Sequence, residues 1–193
     1  MVKLTGLKKI KTAVFISGTG SNLKNLIKFS KIKNSPISID FIFSNTLKAK
    51  GLAYGKIFKI KKKIFNFKNK NLAENKVLLE LNKKEIKLIC LAGFMKIISK
   101  NFITQFKGKI LNIHPSLLPK YRGLNTHQRA IENNEKFSGC TVHYVTPKLD
   151  SGKIILQKKV KIKKNETKKS LSKKVLIQEH KLYSKAVLKI FSL

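Results

Sequence analysis

The chain has 193 residues, and its 43 basic and 9 acidic residues give a formal net charge of +34. This length favours a single domain, and an apolar content of 42% excludes a chain too hydrophilic to fold. No apolar run reaches the ~20 residues of a membrane-spanning helix, and the N-terminus lacks the apolar region of a secretory signal. Two cysteines are too few for a disulfide scaffold. We therefore predict a cytoplasmic protein with one domain over residues 1–193, in which residues 1–10 form a loose extension.

Lysine carries almost all of the positive charge. Arg122 and Arg129 are the only arginines, and the lysines are spread along the whole chain. Proteins that read bases or bind phosphates through two hydrogen bonds favour arginine, because its guanidinium is a planar fork. We therefore interpret the lysine excess as AT-biased coding and regard nucleic acid as an unlikely partner. The charge should still steer small anions towards the protein.

The first two thirds of the chain alternate between strand and helix patterns. Apolar runs of strand length lie at residues 11–17, 37–43, 88–93 and 109–113, with a weaker one at 56–60. Apolar residues at helical spacing lie at residues 23–29, 72–81, 102–106 and 126–133, and the last of these helices should begin at an N-cap Thr126. This alternation predicts an α/β fold with a mostly parallel sheet.

A different pattern follows in the last third. Residues 138–145 and 153–160 alternate like strands, and Asp150, Ser151 and Gly152 form a turn signal between them. This arrangement predicts an antiparallel hairpin at the edge of the sheet. A helix should then run from about Thr167 to the C-terminus.

A glycine-rich turn, GTGSNL at residues 18–23, follows the first predicted strand. It is unlike a dinucleotide-binding fingerprint in two respects, because Leu23 stands at the third glycine position and Asp40 lies inside its strand. The N–H groups and the positive dipole end at a helix start can bind an anion of phosphate size. The structural alternative is a tight turn in which Ser21 is the N-cap.

Three polar residues form a candidate catalytic set. Asn112 and His114 flank Ile113 at the end of a predicted strand, so their side chains should project to one side. Ligands bind at this end of parallel sheets. Asp150 lies in a turn, where it is either a turn-forming residue or a carboxylate that orients and charges a histidine. An amide donor, a histidine and a carboxylate together suit oxyanion stabilisation and proton transfer in acyl transfer.

Covalent and metal-dependent chemistry is not indicated. No serine or cysteine lies in a nucleophile-elbow motif. His127, His143 and His180 have no cysteine or carboxylate at metal-ligand spacing, so we predict no metal site.

Several segments resemble the phosphoribosylglycinamide formyltransferase family, within the wider formyltransferases. They are FISGTGSNL at 15–23, LAGFM at 91–95, LNIHPSLLPKY at 111–121, LDSG at 149–152 and QEH at 178–180, in the family's order and spacing. The resemblance implies a Rossmann-like formyltransferase fold, in which a twisted sheet carries helices on both faces.

The resemblance also implies site roles. The substrate phosphate would be held by Gly20, Ser21 and Asn22, and the catalytic residues would be Asn112, His114 and Asp150. Glu179 would contact the glycinamide substrate. The folate would contact Lys70, Met95, Lys96, Ile97, Ile98, Asn112, Thr146 and Leu149, with Lys70 where the family has an arginine.

The implied reaction transfers the formyl group of 10-formyltetrahydrofolate, as co-substrate, to the amine of N1-(5-phosphoribosyl)glycinamide in purine biosynthesis. The partners would be these small molecules, and the enzyme would be a monomer or homodimer with no membrane partner. The alternatives are a methionyl-tRNA formyltransferase core, a formyltetrahydrofolate hydrolase, and a non-enzymatic basic module that binds nucleic acid.

Overall fold

The computed structural model describes residues 8–191, which fall into two compact units divided between Ile110 and Leu111. Residues 1–7, where most of the expected N-terminal extension lies, are outside the described residues. Within residues 8–191, no helix is both long enough and apolar enough to cross a bilayer.

The first unit alternates strands with helices, as predicted. Its elements are β1 (Ile10–Ile16), α1 (Ser21–Ser30), β2 (Ile37–Ser44), a 3₁₀ turn (Lys50–Leu52), α2 (Ala53–Ile57), β3 (Lys61–Ile64), α3 (Lys70–Lys83), β4 (Leu88–Leu91) and α4 (Lys100–Gln105). The strands lie in the order β3-β2-β1-β4, and each adjacent pair is parallel. Central β1 is almost wholly apolar and buried, as expected for a parallel strand covered on both faces.

Aromatic side chains form much of the core of this unit. The ring of Phe15 on β1 lies 4.4 Å from that of Phe43 on β2, and Phe94 packs against both of them. Phe15 and Phe43 are no more than 1% exposed. Rings packed at these separations add to the stabilisation from apolar burial.

The prediction of a strand at residues 56–60 was wrong. Helix α2 continues to Ile57, Lys59 then adopts a left-handed φ of 56°, and β3 starts only at Lys61. The strand itself reads KKKI, and its three lysines are exposed at the edge of the sheet. Lysines on an edge strand resist pairing with other chains. The lysine run of β3 is therefore typical of an edge strand, which is why the segment lacks the apolar residues of a buried strand.

The second unit is built on antiparallel pairs. Its elements are β5 (Lys109–His114), which starts two residues before the division, α5 (Thr126–Glu132), β6 (Phe137–Tyr144), β7 (Ile154–Lys161) and α6 (Lys168–Phe191). β6 pairs antiparallel with both β5 and β7, which confirms the predicted hairpin. α6 packs on β6 and β7, and the buried Tyr183 donates its hydroxyl to the carbonyl of Leu111 at 3.1 Å.

Two helix starts differ from the predictions. The N-cap of α1 is Gly20, in a left-handed conformation with φ 72°, and Ser21 is already helical. The N-cap of α5 is Asn125, with φ 56°, and Thr126 is the first residue of the helix. Glycine and asparagine tolerate a left-handed backbone better than other residues. The start of each helix is therefore set by the backbone conformation of the cap residue and not by a hydrogen bond from its side chain.

A buried carboxylate holds the start of α6. The side chain of Glu166 is 4% exposed and accepts hydrogen bonds from the Lys174 ammonium and the Ser170 hydroxyl. The backbone N–H of Lys163 donates to it as well, at 3.2 Å. The bond from Lys174 is the largest of the causes that lower the pKa of Glu166 from 4.5 to about 2.

Replacing Glu166 by glutamine should therefore destabilise the protein in a pH-dependent way. Because the folded-state pKa lies below the unfolded one, this carboxylate stabilises the fold above pH 4.5, and its contribution is lost as the pH falls towards about 2. We expect a loss of about 1.5–3 kcal/mol at pH 7, measured by urea unfolding, that shrinks at acid pH. A loss of equal size at every pH would contradict an ionic role.

Candidate active site

The end of β5 brings together the predicted catalytic residues of the second unit. Asn112 is half-buried, whereas the side chain of His114 is only 7% exposed and that of Asp150 only 8%. The Nδ1 atom of His114 lies 3.4 Å from Oδ2 of Asp150. The amide Nδ2 of Asn112 lies 3.5 Å from Oδ1 of the same carboxylate. The three residues predicted from sequence spacing therefore form one cluster.

The carboxylate of Asp150 is the centre of this cluster. Asp150 has a left-handed φ of 45°, which aspartate tolerates better than most residues. Its Oδ2 accepts the backbone N–H of Gly123 at 2.9 Å, a short bond that fixes the carboxylate. Its contacts to His114 and Asn112 are longer, at 3.4 and 3.5 Å. Catalytic hydrogen bonds are often long before substrate binds and tighten in the complex.

Sequence reasoning missed His143, a fourth member of the cluster. His143 on β6 stands opposite Asn112 in the antiparallel register and is 2% exposed. Its Nδ1 lies 2.8 Å from the carbonyl of Tyr144, so Nδ1 carries the proton and donates. Its Nε2, 3.3 Å from Nδ2 of Asn112, is then free to accept from that amide. The pairing of β5 with β6 was the signal that could have identified this residue.

Burial keeps His143 in its neutral form. It lowers the pKa of His143, against the opposing effects of the Tyr144 carbonyl and the Asp150 carboxylate. A neutral His143 with its proton on Nδ1 accepts from the Asn112 amide at Nε2. The amide of Asn112 is thereby oriented with its nitrogen towards His143 and Asp150, so it presents N–H donors to this site.

A second missed residue, Tyr121, contacts His114. Nε2 of His114 lies 2.9 Å from the backbone carbonyl of Tyr121, a residue in left-handed conformation with φ 56°. A carbonyl can only accept, so this contact requires a proton on Nε2. Nothing in the sequence indicates that the chain turns back on His114 at this point.

The residues assigned to the substrate phosphate lie at the N-terminus of α1, in the first unit. Gly20 is its N-cap, and Ser21 and Asn22 are its first two residues. Gly20 must be glycine, because a Cβ there would lie 2.7 Å from the Cα of Gly51. This close approach fixes the turn. The first N–H groups of a helix and the positive end of its dipole are groups that bind anions in general, and those of α1 lie at these residues.

The residues assigned to folate are distributed over both units. In the first unit, Met95 and Ile97 are 68% and 63% exposed, whereas Ile98 is buried. The N–H of Met95 donates to the hydroxyl of Ser17 at 2.8 Å, which fixes the segment at its start. Exposed apolar side chains grouped in one segment are typical of a ligand-binding surface. Lys96 in this segment is exposed, and Lys70 is the first residue of α3.

The remaining assigned residues belong to the second unit. Leu149 is 48% exposed, and the hydroxyl of Thr146 donates to the carbonyl of Lys148 at 3.1 Å in the turn that carries Asp150. Glu179 on α6 is 7% exposed. Burial, with a smaller contribution from the charge of Glu179, raises the pKa of Cys140 to about 12, so this thiol is not a nucleophile at neutral pH.

Comparison with known protein families identifies the family of this chain. Residues 10–187 match the formyl transferase family. The chain belongs to this family. A bacterial member, the phosphoribosylglycinamide formyltransferase of Haemophilus influenzae, is 42% identical over 180 residues, which are 92% of this chain and 84% of that protein. The Escherichia coli enzyme of the same name is 37% identical over 88% of this chain and 82% of its own length.

A longer relative and a solved structure are also similar to this chain. The human trifunctional purine biosynthetic protein adenosine-3 is 42% identical over 93% of this chain, which spans only 18% of that protein. The crystal structure of the phosphoribosylglycinamide formyltransferase from Brucella melitensis has a TM-score of 0.89 at 41% identity and covers 95% of this chain. The predicted α/β fold class and the resemblance to the formyltransferases are therefore confirmed.

Proposed function

We propose that this formyltransferase transfers the formyl group of 10-formyltetrahydrofolate to the primary amine of N1-(5-phosphoribosyl)glycinamide. The observation that carries the proposal is the convergence of Asn112 and His114 on the carboxylate of Asp150, where the side chains of His114 and Asp150 are almost fully buried. An amide donor and a histidine paired with a carboxylate are what a tetrahedral oxyanion and a proton transfer require.

The reaction would proceed by direct transfer. The substrate amine attacks the formyl carbon, and the carbonyl oxygen gains negative charge in the tetrahedral intermediate. The Asn112 amide donates a hydrogen bond to this oxyanion, and the positive charge of the His114 imidazolium beside it stabilises the oxyanion electrostatically. The bond between the formyl carbon and N10 of the folate then breaks, and a proton passes to N10 through His114, or through a water that it shares with Asp150. The amine loses a proton in exchange, so no net acid or base is consumed.

The long contacts in the cluster support this mechanism. Nδ2 of Asn112 makes contacts of 3.3 and 3.5 Å, at the weak end of hydrogen-bond geometry. Replacing either contact by a hydrogen bond to the oxyanion therefore costs little free energy. His143, held neutral, orients the amide without competing for the proton of His114.

The co-substrate, the location and the domain organisation are part of the same proposal. The exposed apolar side chains of Met95 and Ile97 support folate binding, and Lys70 would attract the glutamate tail of the folate by charge. We propose that no metal takes part and that the enzyme is a cytoplasmic monomer or homodimer with one catalytic domain. Within the described residues, Cys90 and Cys140 form no disulfide, which suits a reducing compartment.

A direct assay tests the proposed function. Purified protein is mixed with 10-formyltetrahydrofolate and the glycinamide ribonucleotide, and folate product is followed by absorbance. We expect product to form only when the ribonucleotide is present. Product formed with water as sole acceptor would favour a hydrolase, and transfer to methionyl-tRNA in place of the ribonucleotide would favour a tRNA formyltransferase. Salt-dependent RNA binding without formyl transfer would contradict enzymatic function.

The phosphate site can be tested at Ser21. Gly20 is unsuitable, because a side chain there would clash with Gly51 and strain the left-handed turn. Replacing Ser21 by alanine removes one hydroxyl, and a hydrogen bond to a charged group is worth about 1.5–3 kcal/mol. We therefore expect KM for the ribonucleotide to rise at least tenfold, with KM for the folate nearly unchanged.

A matched hydroxyl provides the control for this experiment. Thr104 on α4 is exposed, and its hydroxyl donates a hydrogen bond to the backbone carbonyl of Lys100 on the same helix. Replacing Thr104 by alanine should leave both KM values unchanged. Equal increases in both KM values for the Ser21 variant would indicate general misfolding and would remove Ser21 from the phosphate site.

A further inference from the structure

The ring of His114 lies between two acceptors. Nε2 is 2.9 Å from the carbonyl of Tyr121, and Nδ1 is 3.4 Å from the carboxylate of Asp150. A carbonyl can only accept, so the contact to Tyr121 places a proton on Nε2. With Nε2 facing Tyr121, the ring presents Nδ1 to Asp150. The two acceptors therefore fix the orientation of the ring.

The position of this carbonyl depends on an unusual backbone conformation. Tyr121 has φ 56°, which is uncommon for a residue with a bulky side chain and persists only where the surroundings impose it. The side chain provides that restraint. Its hydroxyl donates to Glu135 at 2.9 Å, and the guanidinium of Arg129 lies 5.1 Å from the ring centre. Burial and Glu135 raise the pKa of Tyr121, so the phenol remains a donor.

The same short segment also holds Asp150. Gly123, two residues after Tyr121, donates its N–H to Oδ2 of Asp150 at 2.9 Å. One turn of backbone thus contacts both members of the His114–Asp150 pair, one through a carbonyl and the other through an N–H. Any shift of residues 121–123 would change the separation of the two catalytic groups.

The other titratable groups that face His114 do not replace this contact. The pKa values of His143 and His127 are both lowered, in each case chiefly by burial, so both are neutral near pH 7. Lys168 lowers the pKa of His127 further. Asp150 is the acid that the structure brings to the His114 ring within the described residues.

We propose that Tyr121, anchored by Glu135 and Arg129, is a positioning residue whose carbonyl holds the Nε2 proton of His114 and aims Nδ1 at Asp150. This inference rests on the formyl transfer proposed above for its catalytic consequence. The geometry of the ring can be tested without that activity.

Glu135 offers a variant that leaves the catalytic residues untouched. Tyr121 and Glu135 line a surface cavity of about 590 Å³ together with Pro119 and Phe137, so trimming Glu135 opens space to solvent and creates no buried void. Replacing Glu135 by alanine removes the acceptor of the Tyr121 hydroxyl, whereas glutamine retains an acceptor oxygen. Replacing Glu132 by alanine is the matched control. Glu132 is exposed, and its carboxylate accepts a hydrogen bond from the side-chain amide of Gln128 on the same helix.

Kinetics provides the first readout. A small displacement of a catalytic group can lower rates by up to about 10², so we expect kcat of the alanine variant to fall about tenfold. KM for both substrates should change less than kcat. Glu135→Gln should restore most of the rate, and Glu132→Ala should behave like the unmodified protein. An unchanged kcat in Glu135→Ala would overturn a positioning role.

The ¹⁵N chemical shifts of the His114 ring provide the second readout, independent of turnover. The unmodified protein should show a proton on Nε2 of His114, and Glu135→Ala should shift the Nε2 signal towards the form without its hydrogen bond. Identical ring spectra in the two proteins would overturn the proposal whatever the assay gives. If the unmodified protein transfers no formyl group yet the spectra differ, the proposed function fails while the contribution of Tyr121 to holding the ring stands.

Discussion

Replacing Asn112 by alanine should lower kcat about 10²–10³-fold, the usual cost of one lost oxyanion donor. The amide of Asn112 is oriented by His143 and Asp150, so its N–H groups are in place before charge develops on the formyl oxygen. Because the interaction is made in the transition state, KM for both substrates should change little. Steady-state kinetics with each substrate varied in turn would measure both effects.

A surface asparagine controls for the substitution itself. Asn101 on α4 is exposed and accepts a hydrogen bond only from Gln105 of the same helix. Asn101→Ala should keep full kcat, and melting temperatures of both variants would show that they are folded. A loss of less than tenfold in Asn112→Ala would remove this residue from the oxyanion site.

Replacing Asp150 by asparagine should cause a comparably large fall in kcat with a modest change in KM. The substitution keeps the size of the side chain and an oxygen for the Gly123 N–H, but it removes the charge beside His114. Without that charge, the imidazolium that takes part in proton transfer loses its electrostatic partner, so the loss falls mainly on kcat. Steady-state kinetics of both proteins would measure kcat and both KM values.

Asp40, the other aspartate in the chain, is the matched control. It accepts a hydrogen bond from Ser38 at 2.5 Å on β2, and Asp40→Asn should leave the rate unchanged. A turn-forming role for Asp150 predicts a different result, namely a lower melting temperature with normal kcat. That result would exclude Asp150 from catalysis.

Much of the fold was predictable because the spacing of the apolar residues and the positions of the turn-forming residues indicate the same elements along most of the chain. The apolar runs that became β1 and β4 are buried strands, and the Asp150–Gly152 turn joins an antiparallel pair as predicted. The failure at β3 has a physical cause. An edge strand is exposed on one side, so KKKI needs no apolar residues and carries no periodic signal.

The candidate site was predictable to the extent that local spacing determines it. Asn112 and His114 share one side of β5 because strand side chains alternate, and Asp150 was identified as a carboxylate in a turn. His143 and Tyr121 were missed because their roles depend on long-range geometry. His143 reaches Asn112 through strand register, and Tyr121 contributes a backbone carbonyl whose direction no side-chain pattern encodes.

Each unit contains one buried cysteine, and reaction of its thiol with an alkylating reagent would report local unfolding of that unit. Cys90 lies on β4 in the first unit and Cys140 on β6 in the second, and both are fully enclosed. Alkylating reagents attack the exposed thiolate, so neither cysteine should react until its strand separates from its neighbours. Mass spectrometry of pulse-alkylated peptides would thus time the opening of each sheet segment separately, with no engineered label. Substrate analogues that bind beside His114 should slow modification of Cys140, because Cys140 directly precedes Thr141, which stands opposite His114.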